Sequence, residues 1–165
     1  MPNDVDIQRR RSFIFCPGDK PEMLPKALKS GSDMVCIDLE DAIAPEHKAL
    51  SRNNVIKLFD KAIYAKGVET IVRINELQSD DGRKDIQAIL NNKNLPSALM
   101  LPKIQHPEEI LLLEKQILKL KTIVKLHIII ETNQALELAW EIAQCSSCVS
   151  SLFFGGVDMS ADLGC

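Results

Sequence analysis

Aromatic side chains are scarce in this sequence: 4% of its 165 residues, with one Trp and one Tyr. Aliphatic residues must therefore fill the interior. Basic residues do not dominate either. The formal net charge of −3 excludes a strongly basic nucleic-acid surface and a polybasic membrane patch. No apolar run approaches the ~20 residues that span a bilayer. Residues 1–11 carry Asp4 and Asp6 and lack an apolar stretch, so they do not read as a signal peptide. The expected compartment is the cytoplasm. The 5 cysteines are an odd number, and Cys16 and Cys36 lie within apolar runs, where a thiol behaves as a small hydrophobe. That pattern fits a reducing compartment better than a disulfide framework. Repeats, low-complexity stretches and linkers are missing too, and the length predicts one domain.

What is present is a rhythm of short apolar runs and longer helical patterns. Strands are expected at 12–16 (SFIFC), 33–39 (DMVCIDL), 70–74 (TIVRI), 98–101 (ALML), 126–130 (LHIII) and 151–154 (SLFF). Helices are expected at 21–30, 45–65, 83–90, from Pro107 onward and at 134–144. Leu50, Ile56, Leu58, Phe59 and Ile63 mark the buried side of the second helix. Pro107 with Glu108 and Glu109 suits the positive end of the fourth, whose charged residues form a solvated face. Such alternation predicts βα units and a parallel sheet covered on both faces. An open doubly wound sheet and part of a (β/α)₈ barrel both satisfy it. Pro17-Gly18-Asp19-Lys20 after the first strand is not the glycine-rich dinucleotide fingerprint, which leans toward the barrel.

Polar residues gather just beyond the carboxyl ends of the strands: Asp38-Leu39-Glu40-Asp41, Arg73 with Asn75, Glu131-Thr132-Asn133 and Gly155-Gly156-Val157-Asp158. Both architectures bind ligands at that rim. Converging carboxylates repel and lose hydration, so they need a cation among them. Oxygen ligands without a nearby His or Cys favour Mg²⁺ over zinc. Arg73 offers a planar fork for a substrate carboxylate. Taken singly, each acid also reads as the N-cap of the following helix.

These segments resemble a known family. Phe15-Cys16-Pro17-Gly18-Asp19-Lys20-Pro21-Glu22, the Asp33-to-Ala42 stretch, Val72-Arg73-Ile74-Asn75, Leu101-Pro102-Lys103, Ile130-Glu131-Thr132 and Phe154-Gly155-Gly156-Val157-Asp158 stand in its order. The chain after Arg9 thus resembles the citrate lyase β-subunit-like branch of the HpcH/HpaI aldolase family, which includes malyl- and citramalyl-coenzyme A lyases. The resemblance implies a TIM-barrel lyase domain at 11–165 behind a tail at 1–10. It also implies Mg²⁺, a carboxylate or acyl-coenzyme A substrate, reversible aldol- or Claisen-type cleavage, and a homo-oligomer in the full-length family. By matching position, Glu131 and Asp158 would ligate the metal. Arg73 would bind the substrate and stabilise an enolate, Glu40 and Asp41 would hold metal-bound waters or organise Arg73, and Lys20 would meet coenzyme A phosphates. Ala135 stands where the family commonly has glycine.

A full barrel of this kind needs ~250 residues. The stop at Cys165, after a sixth strand, predicts an incomplete barrel of about six strands out of eight: a truncated frame, a fragment or part of a split protein. A non-catalytic remnant or assembly subunit and an acyl-coenzyme A thioesterase are the alternative functions. Cys145-Ser146-Ser147-Cys148 reads as a loop with incidental thiols, His127 as a satisfied core histidine, and His47 and His106 as exposed.

Overall fold

Parallel strands cannot be joined by tight turns, so each must be followed by a crossover. The computed structural model, which describes residues 8–61, 65–120 and 122–165, shows how this chain meets that demand. Six parallel strands, β1 (Phe13–Pro17), β2 (Met34–Asp38), β3 (Glu69–Arg73), β4 (Ala98–Leu101), β5 (Lys125–Ile130) and β6 (Val149–Phe154), pair in unbroken chain order. The crossovers contain α1 (Leu24–Leu28), α2 (Lys48–Asp60), α3 (Asp80–Leu90), α4 (Pro107–Ile117) and the pair α5 (Asn133–Glu137) and α6 (Ala139–Gln144). A seventh helix, α7 (Gly156–Leu163), follows β6.

That order decides between the two architectures. A doubly wound sheet reverses its strand order at a switch point. Right-handed crossovers between successive neighbours instead put every helix on one face and curl the sheet toward a barrel. Burial agrees. One cluster joins strand residues Val35, Ile37, Val72, Leu99 and Ile128 to helix residues Val55, Ile86, Ile110 and Ile142. The other holds strand residues alone, Met34, Cys36, Ile71, Ala98, Met100 and Ile129, with Phe13 and Phe153 against it. This second cluster is barrel interior. The Phe13 and Phe153 rings, on β1 and β6, lie 5.5 Å apart across it, yet those two strands share no ladder among the described residues. The fold is a six-stranded, open form of the (β/α)₈ barrel.

Inward side chains recur at every second residue. On β2 they are Met34, Cys36 and Asp38; on β3, Glu69, Ile71 and Arg73; along β5 and just beyond it, His127, Ile129 and Glu131. The register places Asp38 beside Arg73, and His127 beside Met100 and Ser151. Apolar layers therefore fill the middle and polar ones close each end.

At the amino end, Arg10 donates from Nε and Nη2 to the Glu69 carboxylate at 2.6 and 3.0 Å, and from Nη2 to Ser150 Oγ at 2.9 Å. His127, fully buried, has Nδ1 2.6 Å from Ser151 Oγ and Nε2 3.3 Å from Glu69 Oε1. It is a satisfied core histidine. On the helical side, buried Asp85 accepts from Arg52 Nε at 2.6 Å and from the Asn75 main-chain and side-chain N–H groups. This ties α2 and α3 to the segment leaving β3.

Local chemistry moves several boundaries from their expected places. Pro25 has no N–H for the Pro21 carbonyl, so the first helix opens as a 3-10 turn, Pro21–Met23, and its α part is only five residues. The second helix also opens with a 3-10 turn, at Pro45–His47. Leu50 points outward at 54% exposure; Ser51, Arg52, Val55, Leu58 and Phe59 form the buried side, and Ile63 lies outside the described residues. The third helix starts at Asp80 because Ser79 Oγ accepts from Gly82 N–H, with Asp80 and Asp81 in the first turn. The fifth divides at Leu138, and Thr132 Oγ1 caps its start by accepting from Ala135 N–H. All five cysteines are free. No described helix is long and apolar enough to cross a membrane.

Burial pushes the Glu69 carboxyl up, but the contacts with His127 and Arg10 outweigh it and hold the group at about 2. A carboxylate depressed on folding adds stability above its ordinary value and loses that contribution as pH falls toward the depressed one. Between its ordinary 4.5 and about 2, the protein is expected to lose denaturant resistance more steeply than the Glu69→Gln variant. Parallel stability curves across that window would contradict the assignment.

Candidate active site at the carboxyl rim

The last inward residue of β2 is Asp38, and the next inward position along β3 is Arg73. Asp38 folds the chain back on itself: Oδ1 accepts from Glu40 N–H at 2.9 Å and Oδ2 from Ala42 N–H at 3.1 Å. The same two oxygens accept from Arg73 Nε and Nη2 at 2.8 and 2.6 Å. The remaining terminal nitrogen, Nη1, lies 2.9 Å from Glu40 Oε2 and 3.1 Å from Asp41 Oδ2. Phe15 covers the guanidinium with its ring centroid 5.0 Å away. Three carboxylates raise the Arg73 pKa against burial, so the group is a permanent cation.

Beyond β4 the chain bends sharply at Lys103, whose φ of 54° is the one positive value at a non-glycine among the described residues. This conformation sends its main-chain N–H to Glu131 Oε1 at 2.6 Å and its ammonium to Glu40 Oε1 at 3.1 Å. Burial raises the Glu40 carboxyl to about 7, opposed by the charges of Arg73 and Lys103. Glu131 is also raised, first by burial and further by the neighbouring Asp158 carboxylate.

Asp158 reaches the site from the first turn of α7 rather than from a strand end. Gly155 permits the approach. A Cβ there would fall 2.6 Å from the Glu131 Cβ and 2.7 Å from its Oε2. Glycine lets the turn after β6 press directly on Glu131, with Gly155 N–H donating to the Ile130 carbonyl at 2.9 Å.

Asp41, Arg73, Glu131 and Asp158 thus line one cavity of about 490 Å³, with Phe13, Phe15, Met100, Ile129 and Phe153 on its apolar walls. Glu40 stands behind Arg73 and, with Asp41, Lys48 and Lys103, lines an adjoining hollow of about 370 Å³. Of the residues expected from sequence, only Lys20 stays apart. It is exposed on the first loop and lines neither space.

Two partners were not foreseen. Asp38 takes the bidentate edge of Arg73 that was expected to grip a substrate carboxylate. Period-2 reading of β2 and β3 would have found it, since Cys36 and Asp38 share a face with Ile71 and Arg73. Lys103 had no such signal, because its left-handed backbone is invisible in residue order.

The donor chemistry fits a hard divalent cation. Among the described residues no three His, Cys, Asp or Glu side chains form a ready-made cluster, and Glu131 and Asp158 are two carboxylates that line the same cavity. One or two carboxylates, completed by water and substrate oxygens, is the arrangement that Mg²⁺ takes.

The sequence matches the HpcH/HpaI aldolase/citrate lyase family over residues 11–165. The chain belongs to that family. Among its relatives, human mitochondrial citramalyl-CoA lyase is 33% identical over 101 residues, 61% of this chain and 29% of that protein. The citrate lyase subunit β of Escherichia coli K12 is 29% identical over 161 residues, 93% of this chain and 52% of that protein. The chain spans about half the length of the curated family members it matches along most of its own length. Among solved structures, RipC from Yersinia pestis superposes with a TM-score of 0.77 at 30% identity, covering 96% of this chain and 64% of that one. A citrate lyase β subunit from M. tuberculosis, complexed with oxaloacetate and magnesium, gives a TM-score of 0.71 at 29% identity, covering 94% and 63%.

Within this family member, Asp38 is the partner whose loss the rim tolerates least. Asp38→Ala is expected to lower unfolding free energy by about 3 kcal/mol, the low end for a broken buried pair, because Glu40 and Asp41 still face Arg73. Denaturant titration reads this directly; a change below about 0.5 kcal/mol, the range of ordinary surface substitutions, would refute it.

Proposed function

We propose that this chain carries the Mg²⁺-binding half-site of a carbon–carbon lyase. The proposed reaction is aldol- or Claisen-type cleavage of a citryl-, malyl- or citramalyl-CoA-like thioester. The observation that carries the reading is the meeting of Glu131, Asp158 and Arg73 in one cavity, since these groups come from three separate βα units. Family membership and the relatives' names support the same chemistry.

Glu131 and Asp158 would hold the cation, whose chemistry when bound is Lewis-acid polarisation of a carbonyl oxygen. Arg73 supplies a second, fixed positive charge. Carbon–carbon cleavage leaves an enolate whose charge grows on oxygen, so a guanidinium already aligned by Asp38 favours the transition state over the ground state. Glu40 and Asp41 hold the remaining end of Arg73. The Phe13, Phe15 and Phe153 rings line the apolar side of the cavity, where charges are screened less than in open water. Lys20, exposed beyond the carboxyl end of β1, would meet coenzyme A phosphates. The five free thiols support a reducing compartment such as the cytoplasm, and a homo-oligomer is the proposed assembly of the full-length protein.

Titration calorimetry with Mg²⁺, alone and with oxaloacetate or glyoxylate, tests the site. Binding that the keto acid tightens is expected, with heat lost in both Glu131→Ala and Asp158→Ala. Incubation with the three thioesters should release an acyl-CoA and a keto acid; free coenzyme A with an intact hydroxy acid would instead indicate thioester hydrolysis. Undiminished Mg²⁺ binding in both variants would overturn the ligand assignment.

A further inference from the structure

Lys103 is where two otherwise separate acid groups are held at once. Its main-chain N–H occupies Oε1 of Glu131, and its ammonium occupies Oε1 of Glu40. Both contacts depend on the left-handed backbone at φ 54°, a conformation that an L-residue with a long side chain adopts only when its surroundings fix it. The segment cannot relax by sliding, because Leu101, Pro102 and Ile104 on either side are buried.

The consequence is geometric. With Oε1 of Glu131 engaged by an N–H donor, Oε2 is the less encumbered oxygen for a cation. Gly155 leaves room on that same oxygen: an added Cβ would lie 2.7 Å from it. With Oε1 of Glu40 on the ammonium and Oε2 on Arg73, neither oxygen of that carboxylate is free to turn toward Glu131 and Asp158. Glu40 is thereby kept from adding a further carboxylate to the Glu131–Asp158 pair. Mg²⁺ accepts two carboxylates and fills its octahedron with water and substrate oxygens, whereas Ca²⁺ takes six to eight oxygens and gains from each added carboxylate.

We propose that Lys103 is a positioning residue that sets cation selectivity: its main-chain N–H aligns Glu131 for coordination, and its ammonium keeps Glu40 out of the coordination shell. This rests on Glu131 and Asp158 being the ligands, and it gives Lys103 a role that acts through Glu131 and Glu40.

Two substitutions separate the two arms. Lys103→Asn keeps a side chain that tolerates the left-handed backbone but removes the ammonium. Lys103→Val cannot hold that backbone and withdraws the N–H as well. Calorimetric titration with Mg²⁺ and with Ca²⁺, alongside thermal melts, gives the readout. Lys103→Val is expected to bind Mg²⁺ about 10–100-fold more weakly, the usual cost of losing a group that orients a metal ligand. Lys103→Asn is expected to shift the Mg²⁺-to-Ca²⁺ affinity ratio about tenfold toward Ca²⁺, and Lys103→Arg to restore it.

An unchanged affinity ratio in folded Lys103→Asn overturns the inference, and so does Mg²⁺ affinity in folded Lys103→Val within twofold of the parent. If Lys103→Val does not fold, the ratio in Lys103→Asn decides alone. Mg²⁺ binding that survives Glu131→Gln would sink the ligand assignment itself; binding that Glu131→Gln abolishes while the Lys103 variants behave as the parent would sink only the role of Lys103.

Discussion

A guanidinium at the mouth of an apolar barrel must be matched by fixed negative charge, and the Arg73–Asp38 pair meets that condition. Desolvating an ion is costly unless a partner of good geometry takes the place of water. Asp38 is such a partner because parallel register sets it beside Arg73, and because its oxygens also fold the Glu40–Ala42 turn. One carboxylate therefore orients the arginine and shapes the loop that brings Glu40 and Asp41 to Nη1. The contact of Glu40 with Arg73 and its bridge to the Lys103 ammonium follow from that placement.

The site is divided by chemistry. One wall is charged and hydrogen-bonded, the other is made of Phe, Met and Ile side chains. In such a setting charges act with less screening than in water, and groups fixed beforehand need no reorganisation during reaction. The same division explains why the Glu40 and Glu131 carboxyls bind protons more tightly than in solution. Burial disfavours their ionised form, and the cations Arg73 and Lys103 counter it only in part.

The strands were legible because parallel sheets buried on both faces demand near-continuous apolar runs, and each of the six expected runs overlaps an observed strand. The rim residues were legible for a related reason: polar groups that end apolar strands have few other places to go. What stayed hidden depended on geometry that composition does not carry. Leu50 looked like a core residue by type, but it lies one position off the helical face defined by Ser51, Val55 and Leu58. Pro25 cancelled a single hydrogen bond and changed the kind of helix that preceded it. Asp158 belonged to a helix whose start, Gly155-Gly156, reads as a loop. Arg10, Glu69, His127 and Ser151 lie far apart in sequence and meet only when the sheet curls.

The every-second-residue alternation along the strands has a consequence for how this chain can change over evolutionary time. Inserting or deleting one residue between His127 and Glu131 would put those two side chains on opposite faces of the sheet, so that the barrel could keep its inward polar group at one end only by losing it at the other. The connecting loops are therefore where this fold can take changes of length, while the strand interiors admit only replacements in place.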